Sequence, residues 1–150
     1  MAYMNDTENW FVVAGTLVTV ALCVLMHYES LRFCNRWLLK LTEHRRRRVV
    51  ILISFALLTH VAEIWLFGIG YFVLADEFKF GTLSGLPATL PDYVYFSAMT
   101  YTTVGFGDAV PVGSIRFLAG MEALTGLVMI TWTASYTFLE MQRDWRPEKP

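Results

Sequence analysis

Long apolar runs alternate with short polar segments along the chain. Trp10 to His27 is an uncharged run of 18 residues. A helix rises about 1.5 Å per residue, so this run covers roughly 27 Å, close to the thickness of a bilayer's hydrocarbon core. Trp10 and Tyr28 bracket it, where amphipathic aromatics anchor a span, and the pattern predicts a first transmembrane helix over 10–28. A second run, Val49 to Ala75, is 27 residues long and is interrupted by His60 and Glu63. It predicts a second helix over 49–75, long enough to tilt or protrude. A third run predicts a helix over 115–139, whose embedded charge is Glu122. Between the last two lies Asp76 to Pro91, polar, punctuated by Gly and Pro, and without periodicity. Leu90-Pro91-Asp92 then signals a helix start. The apolar stretch 93–101 that follows has nine residues and is too short to span. It predicts a short helix over 92–101 that enters the membrane and turns back.

The polar segments fix a topology. Residues 29–48 hold seven Arg/Lys against two Glu and end in Arg45-Arg46-Arg47-Arg48. Together with the tail, 140–150, they contain ten of the twelve basic residues. Basic segments stay cytoplasmic. This places the amino terminus and the 76–113 segment outside, and the basic segment and tail inside a multi-pass protein of the cell (inner) membrane. The four arginines also suit anionic lipid headgroups on an interfacial segment. They are consecutive and flank an apolar helix, whereas a voltage sensor needs arginines spaced through one. Residues 1–9 carry Asp6 and Glu8 and no basic residue, unlike a cleaved signal peptide.

Composition agrees with the pattern. The chain is 55% hydrophobic, with mean hydropathy +0.45 and a net charge of -1. Its 150 residues make one domain's worth of chain, divided here into 1–48, a pore region over 49–139, and a short tail. Cys23 and Cys34 fall in or beside the first span and are read as small apolar residues, not as a disulfide framework. No phosphate loop, Ser-His-Asp arrangement or Cys cluster supports an enzyme, and nothing points to nucleic acid.

The chemistry concentrates in Thr102-Thr103-Val104-Gly105-Phe106-Gly107-Asp108. Glycines at alternate positions permit φ values that other residues resist. Such a segment can aim a column of backbone carbonyls, with the Thr103 hydroxyl, along one axis. Oxygens so arranged replace the hydration shell of a bare cation. The negative end of the preceding helix dipole favours a cation at the same place. Irregular backbone at membrane depth is tolerable where it lines a wet pore.

This run resembles the potassium-channel filter signature, with Phe106 in the aromatic slot. Residues 49–139 resemble the two-transmembrane pore module of bacterial potassium channels, on the strength of Tyr95 to Asp108, Pro111, Arg116, Glu122 and Gly126. The added amino-terminal helix, the Arg-rich loop and the run His60-Val-Ala-Glu63-Ile-Trp65 look like a group of small bacterial three-helix ion-channel proteins. The resemblance implies an all-α membrane protein. Three transmembrane helices, a re-entrant pore helix and a filter loop over 102–108 would form a potassium-channel pore as a homotetramer. It implies no cofactor, an ion-binding filter of Thr103, Val104, Gly105, Phe106 and Gly107 with potassium as permeant ion at the first four, and filter support from Thr102 and from Asp108, which Tyr95 can hydrogen-bond. Met99 stands where some channels place a glutamate, and Phe106 lacks the hydroxyl of a tyrosine. Gly126 resembles an inner-helix hinge, and Phe138 and Leu139 are candidates for an inner constriction.

His60 and Glu63 are three apart and share a helix face. They support a structural hydrogen bond to the pore helix or a neighbouring span. That is the reading favoured here; its rival is a pH-sensitive latch in which Glu63 or Glu122 titrates. Metal binding there needs further ligands, and His27 is expected at the far end of its span, with His44 in the cytoplasm. The sequence reading is thus a passive potassium-selective channel. Its alternatives are a weakly selective monovalent cation channel and a non-conducting accessory protein that uses the pore fold for assembly.

Overall fold

A computed structural model describes residues 6–38 and 45–145. Helix α1 covers Asp6–Phe33 and ends in a π-helical turn, Cys34–Leu38. Helix α2, Arg45–Phe72, likewise ends in a π-helical turn, Val73–Glu77. Strand β1, Gly81–Ser84, precedes the short helix α3, Leu90–Tyr101. Strand β2, Val110–Gly113, leads into helix α4, Ile115–Trp145. Three segments are long and apolar enough to cross a membrane: Glu8–Trp37, Arg47–Glu77 and Ile115–Gln142. The chain is therefore a helical multi-pass membrane protein.

Several boundaries differ from the sequence expectation, and for one reason. Hydropathy marks where a helix leaves the membrane, not where it stops being a helix. Helix α1 runs past Tyr28, and α2 begins within the arginine run, because Arg is a good helix former. Helix α4 continues through Glu140-Met-Gln-Arg to Trp145, since proline first occurs in this region at Pro147. Helix α3 starts two residues before the expected 92, with Thr89 as its N-cap.

The 76–91 segment is not merely a loop. Its residues 81–84 pair antiparallel with β2, matching Gly81 to Gly113 and Ser84 to Val110. Thr82 and Ser84 face outward around the buried Leu83, a period of two too brief to read from sequence. Gly113 has φ 88, and a Cβ there would lie 2.9 Å from the Gly81 Cα. Two glycines face each other because the strands touch. The Ser114 amide also donates to the Phe80 carbonyl (3.0 Å). The ribbon thereby fastens the segment after α2 to the start of α4, closing a frame around α3.

Helix α3 packs into that frame. Phe67 and Tyr71 of α2, Tyr93, Phe96 and Tyr101 of α3, and Ile115 and Leu118 of α4 form the buried cluster, with Cys23 of α1 on its flank. Tyr71 and Phe96 meet edge-on at 5.1 Å. Lipid is as apolar as leucine, so close packing and interhelical hydrogen bonds hold such helices together. Glycine provides the close approach. A Cβ at Gly68 would sit 2.7 Å from Val94 Cγ2. One at Gly126 would collide with the Tyr101 carbonyl. Helix α4 passes through Gly126 without a break, so the observed role of this residue is contact with the end of α3. Cys23 and Cys34 are buried and unpaired. Leu17, Leu25, Leu57, Leu58, Leu124 and Leu127 remain exposed on the outer faces, as lipid-facing positions would be.

Candidate ion-conduction site

The start of α3 follows from three residues. Asp92 Oδ2 accepts from the Thr89 hydroxyl (2.6 Å) and from the Thr89 amide (2.9 Å). The aspartate thus reaches back to the N-cap, which also orders the first turn. These Thr89 bonds, the hydroxyl first and the amide second, hold the Asp92 carboxyl below the usual carboxylate range. Pro91 lies in the first turn, where its missing N–H costs nothing.

At its other end α3 does not simply fray. The Thr102 amide and hydroxyl both bond the Ala98 carbonyl (3.2 and 2.7 Å). Thr103 donates to the Thr100 carbonyl (3.0 Å), and the Gly105 amide to the Met99 carbonyl (3.1 Å). Residues 102–105 therefore fold back on the last turn. Thr103 has φ 58, Gly105 φ 53 and Gly107 φ 80. A left-handed β-branched residue is costly, of order 1–3 kcal/mol, and such strain clusters at functional sites.

The run 102–108 is open in the single chain. Val104 is 55% and Phe106 69% exposed, and a Cβ at Gly105 or Gly107 would meet nothing within 4 Å. Behind it, the Tyr95 hydroxyl donates to Asp108 Oδ2 at 2.7 Å. On the other side Gly85, with φ 96, lies against the Asp108 carbonyl so closely that a Cβ would clash. Asp108 is thus gripped by its side chain from α3 and by its backbone from the β1 side. The contribution of Gly85 was not visible in sequence, because nothing local ties it to residue 108.

Beneath the run lie two buried polar clusters. Glu122 of α4 accepts from Tyr71 of α2 and Ser97 of α3, each at 2.5 Å. The Ser97 hydroxyl also lies 2.8 Å from the Ile64 carbonyl. Three helices are joined through one carboxylate. The second cluster gathers around Glu63, which is fully buried. His60 Nδ1 is 2.9 Å from Glu63 Oε2 and 2.9 Å from the Tyr101 hydroxyl, which itself donates to Glu63. His27 of α1 places Nδ1 2.8 Å from Glu63 Oε1. Thr133 Oγ1 of α4 stands 3.0 Å from His60 Nε2 and 3.3 Å from His27 Nε2.

The expected isolation of His27 is thereby overturned. It would lie at the inner end of a span closing at residue 28. Because α1 continues to Phe33 and beyond, His27 instead lies within the helix and is 1% exposed. Tyr101, Thr133, Ser97 and Tyr71 were also missed as partners. Each reads as an ordinary span or pore-helix residue until the helices are packed. Of the arginine run, Arg47 is exposed and Arg48 half-buried, while residues 39–44 and the side chains of Arg45 and Arg46 lie outside the described residues. Phe138 and Leu139 are exposed on α4.

Comparison with known proteins gives the same region prominence. Residues 49–143 match the family described as "Ion channel". Protein LctB of Geobacillus stearothermophilus is 41% identical over 54 residues, 36% of this chain and 40% of that protein. Protein LctB of Bacillus caldotenax is 48% identical over 40 residues, 27% of this chain and 30% of that protein. The matched stretches thus span well under half of either relative. No solved structure matches the chain.

Proposed function

The chain belongs to the ion-channel family, a family of passive conductors and not of enzymes, and from that premise we propose that it is a potassium-selective channel working as a homotetramer. The observation that carries this reading is the run 102–108. It has the Thr-Val-Gly-Phe-Gly-Asp order, left-handed backbone at Thr103, Gly105 and Gly107, and a place at the end of a short helix held between two spans. Four such segments around one axis would present the carbonyls of Thr103, Val104, Gly105, Phe106 and Gly107, and the Thr103 hydroxyl, to dehydrated potassium ions. Ions would advance by mutual repulsion between adjacent sites. Asp108, held by Tyr95, would brace the outer mouth, with Thr102 anchoring the inner end.

In this arrangement the amino terminus and the β1–β2 ribbon face outside. The arginine run and the end of α4 face the cytoplasm, where Arg47 and Arg48 can meet anionic lipid. Glu63, His60 and Glu122 brace the helices that position the filter, and Gly126 allows α4 to seat against it.

The deciding experiment is flux and bi-ionic reversal potential of the purified protein in liposomes. We expect potassium flux that is lost on Gly105→Ala, whose φ of 53 disfavours a side chain, and potassium permeability well above that of sodium. Near-equal permeabilities would establish a weakly selective cation pore, consistent with a filter in which Phe106 has no hydroxyl to brace it. Absence of flux from a folded tetramer would establish an accessory membrane protein.

A further inference from the structure

We infer that His27, His60 and Glu63 form a binding site for a divalent transition metal of the zinc class. One donor atom from each lies within 4.8 Å of those of the other two. Glu63 and His27 are almost completely buried, and His60 is 13% exposed. Two imidazole nitrogens and a carboxylate are a common donor set for zinc, leaving a position for a fourth ligand. The Tyr101 hydroxyl, 2.9 Å from His60 Nδ1 and bonded to Glu63, lies beside two of the three ligands.

The proton count of the cluster points the same way. With both rings neutral and both Nδ1–H groups donating to Glu63, both Nε2 atoms are bare acceptors. Both face Thr133 Oγ1, which has one proton and can satisfy one of them. In that tautomer one Nε2 is left without a donor. With a metal on the two Nδ1 atoms, both Nε2 atoms carry hydrogens. The Thr133 oxygen has two lone pairs to accept them. Metal-binding histidines hold this tautomer by donating the second ring N–H to an oxygen, and Thr133 Oγ1 lies within reach of both rings.

Room exists for the ion. Tetrahedral zinc with bonds of about 2.0–2.1 Å separates its donors by roughly 3.3 Å, so the contacts of 2.8 and 2.9 Å between Glu63 and the rings must open slightly. His60 can yield, because it borders a cavity of about 270 Å³ between α2 and α4 that Leu57, Thr133 and Phe138 also line. A metal here would staple α1 to α2 beside Tyr101, the residue just before the 102–108 run. Its effect on conduction rests on the channel reading; its binding does not.

The test is titration of the chelator-treated, full-length protein in detergent with Zn²⁺ and Co²⁺. We expect one ion per chain and the visible ligand-field absorption of four-coordinate cobalt. His60→Gln should abolish that absorption, and Thr133→Val, which preserves all three ligands, should weaken binding roughly 10–100-fold. Helix content and elution volume establish that each variant folds. If His60→Gln does not fold, the Thr133→Val affinity decides alone. Absence of a cobalt spectrum in the parent overturns the site, including the outcome in which ring NMR signals show an extra proton closing the cluster instead. So does binding that both variants leave unchanged. A protein that binds cobalt but conducts nothing keeps the metal site and refutes the channel. One that conducts and binds no metal does the reverse.

Discussion

Tyr95 and Asp108 stand thirteen residues apart and meet at 2.7 Å across the short run that both support. Met99 and Phe106 offer no polar side chain there, so this bond is the visible side-chain brace of the run. Tyr95→Phe keeps the ring and removes the donor. The expected result is an intact, assembled protein whose potassium-to-sodium permeability ratio falls, read by bi-ionic reversal potential; an unchanged ratio would show that Asp108 needs no hydroxyl. Asp92 supplies a pH dependence of determinable sign. Its carboxyl titrates lower in the folded chain than the ordinary value of about 3.9. The ionised form is therefore the one that folding favours. Its contribution is complete above the unfolded value and is lost as pH falls through the folded one. Protection of the Thr89 amide against hydrogen exchange, taken relative to the intrinsic rate at each pH, should fall below about pH 4, and Asp92→Asn should remove that dependence.

At the scale of elements, Gly126 and Gly120 of α4 make a matched pair. A methyl group at 126 enters the Tyr101 carbonyl, whereas one at 120 meets nothing within 4 Å. Gly126→Ala should lower stability by about 1–3 kcal/mol through overpacking. Gly120→Ala should be neutral or stabilising by up to about 1 kcal/mol. Thermal unfolding of the detergent-solubilised protein compares them, and a hinge role for Gly126 without a packing role would leave its stability unchanged. The same residue shows what a sequence can carry. The three spans and the short helix were legible because each depends on local length, hydropathy and a start signal such as Leu90-Pro91-Asp92. The β1–β2 ribbon was not, since its pairing joins Gly81 to Gly113 and its alternation lasts four residues. The grip of Gly85 on Asp108 and the arrival of His27 at Glu63 were hidden for the same physical reason: each depends on how separate segments pack. His60 with Glu63 was legible because a three-residue spacing on a helix is already a contact.

For the whole molecule, the distribution of exposed apolar groups constrains assembly. Leucines on the outer faces can be covered by lipid, but Val104 and Phe106 belong to the segment that would approach an axis. They are exposed by 55% and 69% in one chain. Lipid cannot cover them there, because irregular backbone at membrane depth must be buried in protein or line water. One chain supplies one such segment, and a carbonyl cage around an ion needs several. Thr103 holds a strained left-handed φ of 58 at the start of the same segment. The proposed closed four-fold association would meet these conditions, with each 102–108 segment packed against its neighbours and α4 lining the space below. Native mass measurement in mild detergent should therefore give four times the 17.2 kDa of the chain. The mutation Gly105→Ala should abolish flux while leaving that mass intact, because its Cβ would project into space that the single chain leaves empty. A monomer or dimer that still conducts would mean that the pore is built some other way.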